Sequence, residues 1–406
     1  MATKEKNMPT NTNFVFKPGK LTTLLDGGAG SSGKGKIGSF ITANADNWQF
    51  ACNTFAPQAG HWVRLHDGRQ WFYQTLNSCA YNHEKFEKIY LGPGAMIELP
   101  ALLREMEENG IPRSKIGISP VVPILDVELD QGFERGTLGF DGQLIEKRHE
   151  GTSKFGSTNH GVGSCAARRI LRRPSVKIAR DCEQIKDMVC DVPVEIMSRL
   201  NKGQAGLLEI AQGFQLSNQH SYHWPYVTYR NVNVAQGFSD MFLPIKYAGD
   251  TIINFRTYPI RINSNKYIST EDGRHLTWAE VQNGAPHTIY EGNSGKWYPD
   301  QKELDWETLT KISGAKDPIF EITSVTKLPR RVATFSRMNL DESVMYNEAG
   351  TDTHISLNFC NYVDAEMEGS TEKITPKFQA WMDEYLKGVD VRFLGTGACT
   401  EDTIIR

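Results

Sequence analysis

The segment Gly30-Ser31-Ser32-Gly33-Lys34-Gly35-Lys36 follows an apolar run and sets lysines among glycines, a composition suited to phosphate. Small residues let backbone N–H groups approach phosphate oxygens, and Lys34 or Lys36 can neutralise a phosphoryl group in transit. The ordinary nucleotide loop is nearly matched by Gly28, Gly33 and Lys34. It is then missed, because Gly35 stands where a magnesium-binding Ser or Thr belongs. Taken alone, the segment also reads as a glycine turn with two solvated lysines. Gln58-Ala59-Gly60-His61 reads, alone, as a surface turn with a histidine. Gly156-Ser157-Thr158-Asn159-His160-Gly161-Val162-Gly163 precedes Arg168, Arg169, Arg172 and Arg173. Small hydroxyl residues ahead of arginines suit a phosphate monoester; the same arginines would also serve as a solvated helix face.

Elements able to position these groups are legible. Leu21–Leu25 predicts a strand feeding the glycine loop, which begins at Asp26-Gly27-Gly28. Pro100 opens a helix that Gly110 ends. Gly206–Ala211 is a compact apolar run stopping at Gln212-Gly213, and Thr251–Phe255 and Ile355–Phe359 are further strand candidates. Thr375-Pro376 caps a helix whose Phe378, Trp381, Met382 and Tyr385 share one face; Gly388 ends it and a strand over Val389–Leu394 follows. Strands alternating with helices imply an α/β fold with a mainly parallel central sheet flanked by helices. Ligands then belong beyond the carboxyl ends of strands. Residues 1–20 read as a flexible arm, and 21–406 as a single domain with an elaborated, turn-rich excursion at about 263–318.

Composition narrows the partners. With 45 basic and 48 acidic side chains the net charge is −3, so no global positive field favours nucleic acid or an anionic membrane. No apolar run reaches the roughly 18 residues of a spanning helix. The N-terminal stretch lacks the apolar core of a signal peptide. Seven scattered cysteines without zinc-like spacing read as reduced thiols in a cytoplasm.

In order, the motifs resemble those of the adenylosuccinate synthetase family. That family carries G-D-E-G-K-G-K, N-A-G-H, G-T-T-x-x-G-I-G with a later arginine, E-G-A-Q-G, P-Y-V-T, an aspartate loop and T-K-x-D. Here the counterparts are Gly30–Lys36, Gln58–His61, Gly156–Gly163 with Arg172, Glu209-Ile210-Ala211-Gln212-Gly213 and Pro225-Tyr226-Val227-Thr228. They continue with Thr323–Arg331, Asn361-Tyr362-Val363-Asp364 and Gly395-Thr396-Gly397. The resemblance implies a P-loop-related fold with insertions. It also implies a ligase that phosphorylates a purine 6-oxygen and displaces the phosphate with the amine of L-aspartate. Nucleoside triphosphate would be held by Ser32, Gly33, Lys34, Gly35, Lys36, Asn361, Asp364, Gly395 and Gly397. Ser31 and the Gly60 carbonyl would hold Mg2+, and His61 would be the acid at the 6-oxygen. Gln212 would contact the base; Ser31, Lys34, His61 and Gln212 make up the catalytic set. Gln58, Thr158 and Thr228 would hold the substrate phosphate, joined by Arg172 from a neighbouring subunit of a homodimer. Thr326 and Arg330, with Arg331 beside them, would hold aspartate.

Three departures refine the expectation. Ser31 stands where the family has its catalytic aspartate, and Ser32 where it has glutamate. Serine is a poor base unaided, which leaves two readings, a silent site or a changed substrate. A smaller, uncharged residue leaves room for an amino group on purine carbon 2, which guanine carries. Leu328 replaces an arginine near the ribose 2′-hydroxyl, easing a deoxyribose. Tyr362 replaces the lysine that covers guanine of GTP, although Asp364 is kept. Together these resemble the bacteriophage branch acting on dGMP with ATP or dATP, in a host cytoplasm. The alternatives are an ordinary IMP- and GTP-dependent enzyme and an inactive nucleotide-binding paralogue. Which group removes the purine nitrogen-1 proton stays open between a water relay through Ser31, the phosphate donor and Asp26.

Overall fold

A computed structural model describes residues 14–139, 142–143, 159–262, 266–276, 278–290, 294–323 and 329–406. Thr158, Thr326, Lys327 and Leu328 lie outside these residues.

Nine strands form the main sheet, in the spatial order Thr403–Ile405, Val391–Gly395, Thr353–Asn358, Ala248–Arg256, Leu21–Asp26, Gly206–Gly213, Phe50–Asn53, Lys88–Leu91 and Ile116–Ile118. Every pairing is parallel except that between Val391–Gly395 and Thr403–Ile405. The central strand Leu21–Asp26 is buried along its whole length. Strands covered on both faces read as continuous apolar runs, which is why Leu21–Leu25 and Gly206–Ala211 stood out. Alternation still sorts their side chains between faces. Leu25, Leu208 and Ile253 enter one core; Leu24, Leu207 and Ile252 enter the other.

The expected helices form with the expected ends. Pro100 lies in the first turn of Leu99–Glu108. The Thr375 hydroxyl accepts from the Phe378 N–H and caps Pro376–Tyr385, where Phe378, Trp381 and Met382 are buried. The strand that follows starts at Val391, two residues later than expected.

One expectation changes. The arm read over residues 1–20 is packed from Phe14 onward: Phe14 and Phe16 sit in the core beside Trp48, and Lys17 pairs with Asp250 and Asp352. Two aromatic rings outweigh the polar composition around them. The elaborated excursion carries strands of small antiparallel sheets and a helix, Trp306–Ser313. Strand Arg330–Ala333 runs beside Ile260–Ile262 and so brings Arg330 back toward the main sheet. Among the described residues no helix is long and apolar enough to cross a membrane, and all seven cysteines are free.

Candidate active site

Register decides what meets at the carboxyl end of the central strand. Asp26 pairs with Gly213 on one side and with Asn254 on the other. Its fully buried carboxylate accepts from the Gly28 N–H at 2.7 Å and from the N–H and hydroxyl of Ser32. Lys34 Nζ stands 3.7 Å from the same carboxylate and donates to the Gln212 carbonyl at 2.7 Å. Asp26 therefore both ends the strand and shapes the loop. Ser32 faces inward: Asn254 Nδ2 donates to its hydroxyl and carbonyl, and Asn358 Nδ2 to its carbonyl. Ser31 instead is exposed, at φ 54°, with its carbonyl held by Arg256 at 3.0 Å. The two adjacent serines thus divide the work, one fixing the loop and one facing outward.

Gly33 takes φ 88° as the cap of helix Lys34–Asn44, whose free N–H groups open toward the loop. Lys36 is buried, donating to the carbonyls of Gly397 and Asp402 at 2.8 and 2.5 Å. Burial, partly offset by Asp402, lowers its ammonium to about 8. A Cβ on Gly35 would lie 2.5 Å from the Trp62 carbonyl oxygen and 3.2 Å from His61 Cβ. Close approach of this hairpin explains why glycine replaces the hydroxyl residue of an ordinary nucleotide loop. A Cβ on Gly395 would likewise strike Asn358 Oδ1.

His61 begins the hairpin His61–Arg64 and Gln70–Tyr73. It is buried, with Nδ1 2.6 Å from Glu209 Oε1 and its ring against Phe55. Ser78 donates to the other Glu209 oxygen through its N–H and hydroxyl, both at 2.9 Å. Burial works to raise the Glu209 carboxyl, but the charge and hydrogen bond of His61, with Ser78, hold it below the usual value. Glu209 had no expected role; the signal was a carboxylate inside the apolar run Gly206–Ala211.

Gln58 and Thr228 meet, Nε2 donating to Oγ1 at 3.0 Å. Arg172 is exposed at φ 53°, just past helix Val162–Ile170. The preceding arginines are not a solvated face: Arg168 is buried against Asp130 at 2.9 Å, and Arg169 reaches the Pro93 carbonyl. Arg330 pairs with Glu321, which also binds Arg256 and accepts from the Tyr362 hydroxyl at 3.0 Å. Burial lowers the Arg330 guanidinium. Arg331 turns away to Glu303. Asn361 donates to Glu368. The Asp364 carboxylate accepts from the Thr375 hydroxyl at 2.5 Å and the Glu366 N–H at 3.2 Å. Gly60 is exposed, backed by the Phe72 ring.

No family model matches the chain. It is similar to N6-succino-2-amino-2′-deoxyadenylate synthase of Vibrio phage phiVC8, 27% identical over 393 residues, covering 94% of this chain and 97% of the relative. The enzyme of the same name from cyanophage S-2L is 30% identical over 350 residues, covering 84% and 82%. The chain belongs to the adenylosuccinate synthetase family, on this phage branch. A solved succinoaminodeoxyadenylate synthetase of cyanophage S-2L, bound to dGMP and dATP as an energy donor, superposes with TM-score 0.72 at 26% identity over 95% of each chain. Members of this family are carbon–nitrogen ligases of purine nucleotide synthesis. The buried Lys34, Asp26 and His61–Glu209 groups at the sheet's carboxyl end are therefore the candidate machinery of a ligase.

Proposed function

We propose that the chain joins L-aspartate to carbon 6 of dGMP, driven by ATP or dATP, and yields N6-succino-2-amino-2′-deoxyadenylate in the cytoplasm of an infected host. The γ-phosphoryl passes to the purine 6-oxygen as the nitrogen-1 proton is removed, and the nucleoside diphosphate leaves. The aspartate amine then attacks carbon 6, and the carbon–oxygen bond breaks with phosphate leaving. The observation carrying the substrate choice is Ser31: small, uncharged and turned outward, where adenylosuccinate synthetases place a carboxylate. The cyanophage relative bound to dGMP supports the same reading.

In this reading the helix N-terminus after Gly33, with Lys34, receives the triphosphate. His61, oriented by Glu209, donates toward the 6-oxygen. Gln58 and Thr228 hold the substrate phosphate, and Gln212 the base. The exposed Arg172 reaches the same phosphate in a partner subunit, making the working form a homodimer. Arg330, poised on Glu321, takes an aspartate carboxylate. The Ser31 hydroxyl and Gly60 carbonyl are hard oxygen donors of the kind Mg2+ accepts beside water and phosphate oxygens, so these residues fit that ion. When bound, Mg2+ neutralises charge on the transferring phosphoryl group.

The test is incubation with Mg2+, aspartate and each of dGMP, GMP and IMP, using ATP or GTP as donor. Phosphate release and adduct mass are followed. Turnover of dGMP with ATP is expected; turnover of IMP alone overturns the proposal.

A further inference from the structure

Beyond the nucleotide loop, among the described residues, His66, Cys399 and Asp402 form the one group of three metal-ligating side chains whose ligand atoms all lie within 4.8 Å of one another. They come from two distant parts of the chain. His66 follows the hairpin strand that begins with His61, and Cys399 and Asp402 follow Gly395-Thr396-Gly397. The Thr400 N–H already donates to the Arg64 carbonyl at 2.7 Å, so the two segments are in register without any ion.

The cluster offers unlike donors at one point. His66 Nε2 lies 2.5 Å from Asp402 Oδ1, while the other Asp402 oxygen accepts from the Cys399 N–H at 2.8 Å. Glu401 adds a neighbouring carboxylate: Oε1 is 3.4 Å from the His66 N–H, and Oε2 is buried without a hydrogen-bond partner. Behind them, a Cβ on Gly397 would come 2.5 Å from Asp402 Oδ2 and 3.0 Å from Glu368 Oε1, so glycine keeps a space open between two carboxylates. Lys36 stands nearby, but its amine is committed to the carbonyls of Gly397 and Asp402.

We propose that His66, Cys399 and Asp402 bind a zinc-class divalent ion, clipping the segment after Gly397 to the hairpin that carries His61. A thiolate, an imidazole and a carboxylate suit zinc, whereas magnesium takes oxygen ligands alone. Zinc is four-coordinate, which leaves a position for Glu401 or water. His66 Nε2 and Asp402 Oδ1 are 2.5 Å apart, so the exposed His66 ring must draw back from Asp402 to admit an ion about 2 Å from each ligand atom. None of its three ligands is Ser31 or Gly60, the residues given to Mg2+.

The experiment uses full-length protein, stripped with chelator and titrated with Co2+ and then Zn2+. The expected result is a single equivalent of cobalt with thiolate-to-metal charge-transfer absorption in the near ultraviolet, displaced by zinc. Cys399→Ser should abolish that absorption with an unchanged far-ultraviolet circular dichroism spectrum. His66→Gln should weaken zinc at least about 100-fold, as even loss of an outer-shell partner can. No charge-transfer band in the wild type, or the same zinc affinity in either variant, overturns the site. Cys182 and Cys190, also partly exposed, are controlled by the Cys399→Ser comparison.

Discussion

His61 Nδ1 and Glu209 Oε1 lie 2.6 Å apart in a buried pair, one on the hairpin and the other on a central strand. A carboxylate on one ring nitrogen fixes the imidazole's orientation and leaves the other nitrogen for chemistry. Glu209→Gln keeps the shape and removes the charge. Turnover should fall about 100-fold or more, the lower range for a general acid, while KM for the nucleotides moves little. Steady-state kinetics reads this; undiminished kcat would show that His61 works without Glu209.

Gly213 makes a second prediction about geometry alone. A Cβ there would lie 2.2 Å from the Gly28 carbonyl oxygen and 2.5 Å from the Gly30 nitrogen. Both atoms are backbone, so the glycine loop must shift. Gly213→Ala should leave the sheet folded yet displace the loop, cutting kcat/KM at least about tenfold, since small misplacements in a site can cost up to about 100-fold. Activity equal to wild type, with an unchanged melting temperature, would mean the loop tolerates the shift.

Much of the frame was legible because central strands buried on both faces advertise themselves as apolar runs, and the glycine–lysine loop sits at the end of one. What stayed hidden depends on pairing across the sheet. Asp26 meets Ser32 and Lys34 by loop geometry, and only the register of Glu209 brings it to His61. Arg168 read as either a phosphate ligand or a solvated residue because its partner, Asp130, lies 38 residues earlier in sequence. Phe14 and Phe16 were missed because a polar average conceals two rings that find a core.

Glu105 gives a pH prediction. Its buried carboxyl accepts from the N–H groups of Gln74, Thr75 and Leu76, yet burial outweighs these bonds and pushes it up to about 7. The folded state therefore holds this proton more tightly than the unfolded chain, whose reference value is 4.5. The resulting stability is fully present below 4.5 and is lost as pH rises through about 7. It amounts to about 3 kcal/mol at one pKa unit per 1.36 kcal/mol. Thermal melts from pH 5 to 8 should show wild type losing more stability than Glu105→Gln across that window. Parallel curves would assign the pH dependence to other groups.

Asp364 bears on the choice of phosphate donor. To read guanine it would have to present its carboxylate to the base, but one oxygen accepts from the Thr375 hydroxyl and the other from the Glu366 N–H. Thr375 in turn caps Pro376–Tyr385, so the carboxylate is bound into a helix start. Asp364→Ala should therefore lower stability by about 1 to 2 kcal/mol, as lost caps do. It should leave kcat/KM for ATP within about threefold, under 1 kcal/mol of transition-state stabilisation. Measuring both donors in the wild type and variant separates structure from recognition. A 100-fold loss confined to one nucleotide, with the melting temperature held, would instead make Asp364 a base-reading residue, as its motif suggests.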